Sequence, residues 1–205
     1  MPIVMREKII IKATELFLNL GFKSVTMDDL ANAMGISKKT IYSHFINKTE
    51  LVEAASMTMA ETIRKGIETI ISQEKNPIEE LYEIKKFIMV QLKDEKSSPL
   101  YQLQKYYPKI HTALKKEQFE SMQFCVDQNV KRGMEQGIYR EELNVEFVAR
   151  IYFLGVTGIK DNELFPTKIF SKLQIMDHFL EYHLRAIVSP KGRTVLNKII
   201  NSNQI

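Results

Sequence analysis

The sequence predicts an all-α fold, with a three-helix helix-turn-helix domain over residues 1–50 and a larger helical domain over residues 51–205. Two observations support this prediction of about nine to ten helices in total. Apolar residues recur three and four positions apart along nearly the whole chain, which is the helical period. Only 8 Gly and 6 Pro occur among the 205 residues, so little material is left for long loops.

The first helix is expected over residues 4–20, because Ile9, Ala13 and Phe17 share one face at helical spacing. Gly21 is its expected end, since glycine readily adopts the backbone conformations that terminate helices. The chain should then return to the interior before a second, short helix begins.

The stretch from residue 25 to residue 51 contains three helix starts built on one plan. Thr26, Ser37 and Asn47 can each accept a hydrogen bond from a free backbone N–H of the following turn. Asp29 and Glu50 lie three residues after the first and third caps and can return the bond, which predicts two capping boxes. Each start also carries the apolar pair of a hydrophobic staple, namely Val25 with Leu30, Ile36 with Ile41, and Ile46 with Leu51.

A tight turn should join the second helix, over residues 27–34, to a third helix over residues 38–45. Gly35 can adopt the left-handed conformation that ends a helix, so the two helices form a helix-turn-helix. Ile41 and Phe45 are four residues apart and should be buried together. The side chains left outside include no acid; they are Lys38, Lys39, Thr40, Tyr42, Ser43 and His44. Such a face suits phosphates and base edges, whereas the alternative is a solvated helix of a small helical core.

Helix four is expected to begin at Lys48 and to run without a break to about Ile71, because its apolar stripe is continuous. There is no flexible linker, so this helix belongs to both domains, and a tilt at one end should be felt at the other. Further helices are expected over residues 77–93, 99–107, 112–136, 145–156 and 168–188, most of them bounded by Pro, Gly or Asn.

Helix eight is apolar nearly all round, and a helix of that kind must be covered on most sides. One small domain covers only one side, so a second copy of the chain is the simplest cover for the other. We therefore expect a homodimer that pairs through helices eight and nine. The predicted interface residues are Phe147, Ile151, Leu154, Met176, Phe179, Leu180, His183 and Leu184.

The tail after Pro190 carries cations without acids, together with apolar residues at helical spacing. Two interpretations are open: contact with DNA, or a short helix packed on its own domain. The spacing favours packing.

Composition sets wider bounds on the function. The net charge of +4 permits an anionic partner, but residues 1–50 hold seven Lys/Arg against five acids, so the case for DNA depends on placement. The single cysteine, Cys125, lies among apolar residues, which predicts a buried side chain and a reducing, cytoplasmic location. We expect no signal peptide and no membrane span.

Residues 5–51 also contain a series of short motifs. These are Ala13–Leu16–Phe17, Gly21–Phe22, Thr26, Leu30–Ala31, Gly35–Ile36–Ser37, Thr40–Ile41–Tyr42–Ser43–His44–Phe45 and Lys48–Thr49–Glu50–Leu51. With these motifs the chain resembles the N-terminal DNA-binding domain of the TetR family of bacterial transcription regulators. The resemblance implies a homodimer on a near-palindromic double-stranded DNA operator. It also implies that Tyr42 and His44 hold phosphates.

The remaining DNA contacts are predicted from position. Thr26 and Lys48 lie at helix starts, where backbone N–H groups and the helix dipole favour phosphate. The candidates for base edges are Lys38, Lys39, Thr40 and Ser43, and Ser37 completes the predicted set.

The resemblance further implies an effector pocket among helices four to seven. Aromatic and methionine side chains of that region would suit a mostly apolar small molecule. They are equally suited to a plain hydrophobic core. The predicted lining residues are Phe87, Tyr101, Tyr106, Tyr107, Phe119 and Met122.

Other functions are less well supported by the sequence. It has no catalytic constellation and no glycine-rich phosphate loop, so we expect neither an enzyme nor a cofactor. Asp177, His178 and Glu181 could bind a metal, but a solvated helix edge is favoured and no metal site is predicted. The main hypothesis is a repressor released from its operator by a ligand. The alternatives are a constitutive nucleoid or division factor on the same fold, and a helical interaction protein with a degenerate DNA-reading head.

Overall fold

The computed structural model describes residues 4–91 and 99–202, which form ten α-helices and confirm the predicted all-α fold. They are α1 (Met5–Leu20), α2 (Met27–Met34), α3 (Lys38–Tyr42), α4 (Lys48–Ile71), α5 (Pro77–Gln91), α6 (Pro99–Tyr106), α7 (Pro108–Glu135), α8 (Val145–Gly158), α9 (Lys172–Ile187) and α10 (Pro190–Ser202). The predicted end of helix five near Lys93 lies outside the described residues.

Three predicted helix boundaries are wrong, each for a local reason. Helix α3 ends at Tyr42, because the following backbone tightens into a turn in which the His44 N–H bonds the Ile41 carbonyl at 3.0 Å. Helix α7 begins at Pro108, since the fixed φ of proline suits the first helical position. Helix α9 begins only at Lys172, after a capping box.

The chain divides into two compact units, and unit 1 comprises Met1–Lys65 and Gln91–Gln118. Its core contains the inward faces of α1, α2 and α3 and the first turns of α4. Leu103 of α6 and Ile110 of α7 are buried in the same core. The compact unit around the helix-turn-helix therefore draws on segments far along the chain. The sequence-based division at residues 50 and 51 stays a prediction.

Unit 2 comprises Gly66–Val90 and Phe119–Ile205 and contains a buried polar network as well as an apolar core. Glu80 is only 1% exposed, and it accepts a hydrogen bond from Asn129 at 2.8 Å and pairs with Arg132. The Tyr139 hydroxyl donates to Asn129 at 3.0 Å, and burial raises the pKa of this tyrosine well above its ordinary value. These bonds satisfy groups whose burial would otherwise cost several kcal/mol.

The C-terminal tail packs on unit 2, as its apolar spacing predicted. Leu196 of α10 is fully buried, and the Ser189 N–H bonds the Ile138 carbonyl at 3.0 Å. Gly192 allows this close approach, because a Cβ there would lie 2.0 Å from the same carbonyl oxygen.

The single cysteine and the apolar helices bear on the predictions of a buried thiol and of no membrane span. Cys125 is half-buried on α7, and burial raises the pKa of its thiol. Among residues 4–91 and 99–202, no helix is both long and apolar enough to cross a bilayer.

Candidate nucleic-acid interface

The start of α2 is the predicted capping box. The Asp29 N–H donates to Thr26 Oγ1 at 3.1 Å, and the Thr26 N–H donates to Asp29 Oδ2 at 2.8 Å. Hydrogen bonds from the Thr26 side chain and backbone lower the pKa of Asp29, so its carboxylate stays ionised. The reciprocal bonds fix the first turn of α2, and with it the position of Thr26 at the protein surface.

The turn after α2 ends the helix as predicted. Gly35 has φ +64° and ψ +31°, the left-handed conformation that favours glycine. The Ile36 N–H bonds the Ala31 carbonyl at 3.1 Å, and the Gly35 N–H bonds the Asn32 carbonyl at 3.2 Å. This pair of bonds is the Schellman pattern, which reverses the chain and starts α3.

Two buried side chains hold α3 against unit 1. Ile41 and Phe45 are at most 1% exposed, which confirms the prediction that they are buried together. The Arg6 guanidinium lies 4.9 Å from the centre of the Phe45 ring, so α1 covers the end of the turn that follows α3. The opposite side of α3 is left to solvent.

The start of α4 departs from the predicted pattern. Asn47 Oδ1 accepts from the Glu50 N–H at 2.9 Å, but Glu50 returns its bond to the Ile46 N–H at 2.7 Å and not to Asn47. The predicted staple of Ile46 with Leu51 is wrong, because Ile46 is 83% exposed while Leu51 is buried. The turn between α3 and α4 therefore presents an isoleucine to solvent.

The exposed side of α3 bears the predicted residues, but its polar groups are partly engaged within the protein. Lys38, Lys39, Tyr42 and Ser43 are exposed, while Thr40 and His44 are half-buried. Ser37 Oγ and Thr40 Oγ1 lie 2.9 Å apart, and Ser43 Oγ donates to the Thr40 carbonyl at 2.7 Å. These hydroxyls brace the two ends of α3 as well as facing solvent.

The exposed side of α3 itself carries no acid, as predicted, but an acid of α2 contacts it. Asp28, in the first turn of α2, accepts a hydrogen bond from Lys38 Nζ at 2.7 Å. The bond from Asp28 raises the pKa of Lys38. Lys39, the next residue, has no carboxylate partner among the described residues. Of these two neighbouring lysines, Lys38 is therefore paired with a carboxylate and Lys39 is not.

Lys48 anchors the start of α4 to the segment before α2. Its Nζ donates to the Lys23 carbonyl at 3.3 Å, and burial lowers the pKa of this half-buried lysine. The Asp29 charge opposes that shift. Lys48 is therefore fixed by the backbone of Lys23, three residues before Thr26, while Thr26 itself is fixed by Asp29.

Helix α6 also holds the segment that leads to Thr26. Gln102 accepts a hydrogen bond from the Lys23 N–H at 3.1 Å, and Lys23 Nζ lies 5.1 Å from the centre of the Tyr106 ring. Gly21 has φ +89°, and a Cβ there would meet the Gln102 amide at 2.4 Å. Sequence reasoning missed Gln102, because no local pattern joins residues that are 79 positions apart.

Residues 9–55, which contain α2, α3 and the start of α4, match the sequence profile described as bacterial regulatory proteins, tetR family. This stretch of the chain is therefore similar to the TetR family of bacterial regulatory proteins. This confirms the resemblance drawn from the motifs of residues 5–51. The fold comparison extends the likeness to the rest of the chain. It is similar to SmeT, the repressor of the Stenotrophomonas maltophilia multidrug efflux pump SmeDEF, with a TM-score of 0.70 and 18% identity over 91% of this chain and 92% of SmeT.

A complex of SmeT with triclosan is similar at a TM-score of 0.68 and 18% identity, over 90% of this chain and 92% of that one. At such identity the likeness concerns the fold alone. The curated relatives match over shorter stretches. The transcriptional activator FasR of Mycolicibacterium smegmatis is 32% identical over 62 residues, or 30% of this chain and 28% of FasR. The regulator YhgD of Bacillus subtilis is 36% identical over 61 residues, 29% of this chain and 32% of YhgD. This chain therefore matches about a third or less of each relative's length.

The six predicted effector-pocket residues do not belong to one unit. Tyr101, Tyr106 and Tyr107 lie in unit 1, whereas Phe87, Phe119 and Met122 lie in unit 2. The Tyr107 ring packs edge-on against Phe22 with centroids 6.3 Å apart, within the core of unit 1.

The three residues of unit 2 pack against side chains and backbone of that unit. Phe119 meets Phe153 edge-on with centroids 5.0 Å apart, and Met122 lies against the buried core. A Cβ on Gly66 would meet the Phe87 ring at 2.0 Å, so this ring lies directly on α4. All three are half-buried.

Two of the cavities formed by the described residues lie within the units, and neither is lined by any of the six predicted residues. An open groove of about 430 Å³ in unit 1 is lined by Met57, Thr58, Glu61, Thr62, Lys65 and Glu117. A smaller cavity of about 270 Å³ in unit 2 includes Phe147, Ile151 and His183 in its walls, which are predicted dimer residues. The predicted ligand contacts therefore stay a prediction.

The predicted dimer residues fall into three groups. Phe147, Ile151 and Leu154 of α8 are exposed, and they form an apolar surface. Met176 and Phe179 are half-buried within the protomer. Leu180, His183 and Leu184 are buried in the protomer's own core, which corrects their assignment to an exposed seam. Helix α9 also exposes Leu173 and Tyr182, which lie on opposite faces of the helix because they are nine residues apart.

His183 is the titratable residue among the buried residues of α9. Its ring lies 4.8 Å from the Tyr152 ring and stacks on Phe179 at 6.1 Å, centre to centre. Burial lowers the pKa of His183 to about 4, so the imidazole is neutral at pH 7. It is therefore a packing residue of unit 2 in the folded protomer.

Proposed function

We propose that this chain is a DNA-binding transcription regulator that acts as a repressor on a near-palindromic operator in the bacterial cytoplasm. The observation that carries the proposal is the double-capped helix-turn-helix, whose α3 is fixed from beneath by Ile41 and Phe45 and exposes cations and hydroxyls. A second helix held in this way enters the major groove of DNA. The family is one of regulatory proteins, so we propose no catalytic activity.

The phosphate contacts are assigned to residues fixed at the ends of helices. Thr26 and Lys48 are positioned by the cap of α2 and by the Lys23 carbonyl. Tyr42 is exposed at the end of α3, and His44 is half-buried in the turn that follows. Such contacts set the register of the protein on the duplex but carry no sequence information.

The base contacts are assigned to the exposed side of α3. The candidates are Lys38, Lys39, Thr40 and Ser43. A lysine reads guanine through the O6 and N7 acceptors, and a hydroxyl can serve either kind of base pair. Because no Arg, Asn or Gln is present on α3, the two lysines must provide most of the discrimination.

We propose a homodimer that pairs through the apolar surface of α8 formed by Phe147, Ile151 and Leu154. Exposed apolar side chains that are contiguous mark interaction sites, and a two-fold interface uses the same patch on both copies. Helix-turn-helix dimers bind half-sites about one helical turn, about 34 Å, apart. A palindromic operator reflects that symmetry.

We further propose that a small, mostly apolar effector releases the operator. The complex of SmeT with triclosan supports ligand binding on this fold. Helix α4 is one continuous helix from Lys48 to Ile71, so its two ends are mechanically joined. A ligand shifts such an equilibrium only by its different affinities for the two shapes.

The test begins with operator selection from a random duplex library by the full-length protein. The selected duplex is then compared with scrambled duplex by fluorescence anisotropy at fixed salt. A specific regulator binds the operator about 10³-fold or more tightly than scrambled DNA. No binding of either duplex at low salt would refute the proposal and favour a helical interaction protein.

The effector is tested separately, by titrating apolar compounds such as triclosan in the presence and absence of operator. Linkage requires that operator and effector weaken each other by the same factor, typically about 5- to 150-fold. If none of the compounds binds and the operator is still bound specifically, the alternative of a constitutive DNA-binding protein is favoured.

A further inference from the structure

The two lysines at the start of α3 differ in one respect. Lys38 Nζ donates to Asp28 Oδ2 at 2.7 Å, although both side chains are open to solvent. Lys39 has no carboxylate partner within the described residues. Asp28 itself belongs to α2, two residues after Thr26, so its charge lies beside the proposed phosphate contacts.

The ion pair has two physical consequences. A carboxylate in contact with Lys38 cancels much of the lysine's attraction for a phosphate. A lysine ammonium also has three N–H donors. One is used by Asp28 and two remain, which matches the two acceptors, O6 and N7, that guanine presents in the major groove.

We propose that Asp28 determines specificity, by withholding Lys38 from the phosphate backbone and orienting its remaining donors toward a guanine of the operator. This inference rests on the proposed DNA-binding function. On non-specific DNA, Lys38 stays with Asp28 and releases no counterion, whereas Lys39 binds phosphate. At the operator, Lys38 reads a base while it keeps its bond to Asp28.

The first experiment compares Lys38→Met with Lys39→Met in the full-length protein. The affinity for scrambled duplex is measured over a salt series from 50 to about 200 mM, since the slope of log K against log[salt] counts phosphate contacts at about 0.9 each. Lys39→Met should reduce the slope by about 0.9 per protomer, and Lys38→Met should leave it unchanged. An equal reduction by both variants would overturn the proposal.

The second experiment removes the carboxylate with Asp28→Asn, which keeps the shape of the side chain. The freed Lys38 should bind phosphate, so the slope on scrambled duplex should steepen by about 0.9 per protomer. Operator affinity should gain less or fall, and the ratio of operator to scrambled affinity should drop by about tenfold, the loss expected for one weakened base contact. An unchanged ratio would overturn the proposal.

Two controls separate the route through Lys38 from a general charge effect. Glu146→Gln removes an acid that is paired with Arg150 at 2.8 Å on α8, and it should change neither slope nor ratio. Asp28→Asn in the Lys38→Met background should have no further effect on the slope. If it steepens the slope in that background as well, Asp28 acts only as a negative charge and the proposal fails. Wild-type protein that binds no duplex would instead refute the proposed function.

Discussion

Replacing Leu154 with Asp should dissociate the proposed dimer without unfolding the protomer. Leu154 is 64% exposed in the protomer, so about two thirds of its surface is available for burial by a partner. Full burial of a leucine stabilises by about 1.5–3 kcal/mol, so each copy stands to lose roughly 1–2 kcal/mol. A two-fold dimer contains the residue twice, and the total of about 2–4 kcal/mol raises the dimer Kd by about 100-fold, at about 1.4 kcal/mol per factor of ten.

The introduced charge adds to this loss, since an unpaired carboxylate in an apolar seam costs several kcal/mol. Sedimentation equilibrium over nanomolar to micromolar protein should therefore show monomer for Leu154→Asp and dimer for the wild type. Val90→Asp on α5 is a matched control, because Val90 is similarly exposed but lies away from α8 and α9 in the sequence. Phe179 is a poorer target, as its ring packs against Gly155 within the protomer. A Leu154→Asp dimer of unchanged Kd would refute the reasoning and move the interface elsewhere.

Three other outcomes are expected. Lys48→Ala should weaken binding to all duplexes alike and reduce the salt slope by about 0.9 per protomer, whereas a loss confined to one operator position in anisotropy titrations would mean that Lys48 reads a base. Glu80→Ala should lower the free energy of unfolding, measured in urea, by about 3–5 kcal/mol, because it leaves Arg132 without its carboxylate partner. Glu80→Gln should lower it by less, since the glutamine still accepts a hydrogen bond from Asn129. Equal losses for the two variants would argue against the buried network. His183 has a folded-state pKa of about 4, below its ordinary value near 6.5, so the unfolded chain binds more protons between those values. Stability should then be full above about pH 6.5 and fall by up to about 3 kcal/mol as the pH drops to 4, and thermal melts of His183→Gln should lack this loss.

Local sequence chemistry was enough to predict the helix-turn-helix. Three features were predicted, namely the Thr26 cap, the left-handed Gly35 and the buried Ile41. Each of them depends only on residues at most five positions away, and the structure contains all three. At the next turn the same logic predicted a buried Ile46, and it failed. There Glu50 bonds the Ile46 N–H in place of the predicted Asn47 N–H. The periodic pattern cannot tell which of two adjacent donors a flexible side chain selects.

Contacts between distant segments could not be predicted, and they change the picture of the candidate site. Nothing near Lys38 indicates that Asp28 of the preceding helix reaches it, because the pairing depends on the angle between α2 and α3. The sequence also could not show whether the apolar face of α9 packs into the protomer or against a partner. Its stripe of Leu180, Leu184 and Ile187 has the period of an interface as much as of a core. Only the packing of the protomer decides between the two, since periodicity identifies a buried face but not what buries it.

The most consequential of these distant contacts concerns α6. The sequence assigned Tyr106 and Tyr107 to a ligand pocket, whereas in the structure α6 and the first turn of α7 complete the core under the helix-turn-helix through Leu103 and Ile110. Gln102 holds the backbone of Lys23, three residues before Thr26, at 3.1 Å. A displacement of α6 must therefore break this bond or carry the start of α2 with it. For the proposed effector, this means that a ligand need not touch the DNA-binding helices. It is enough that it binds better to a shape in which α6 has moved, because close-packed side chains transmit a shift that they cannot absorb.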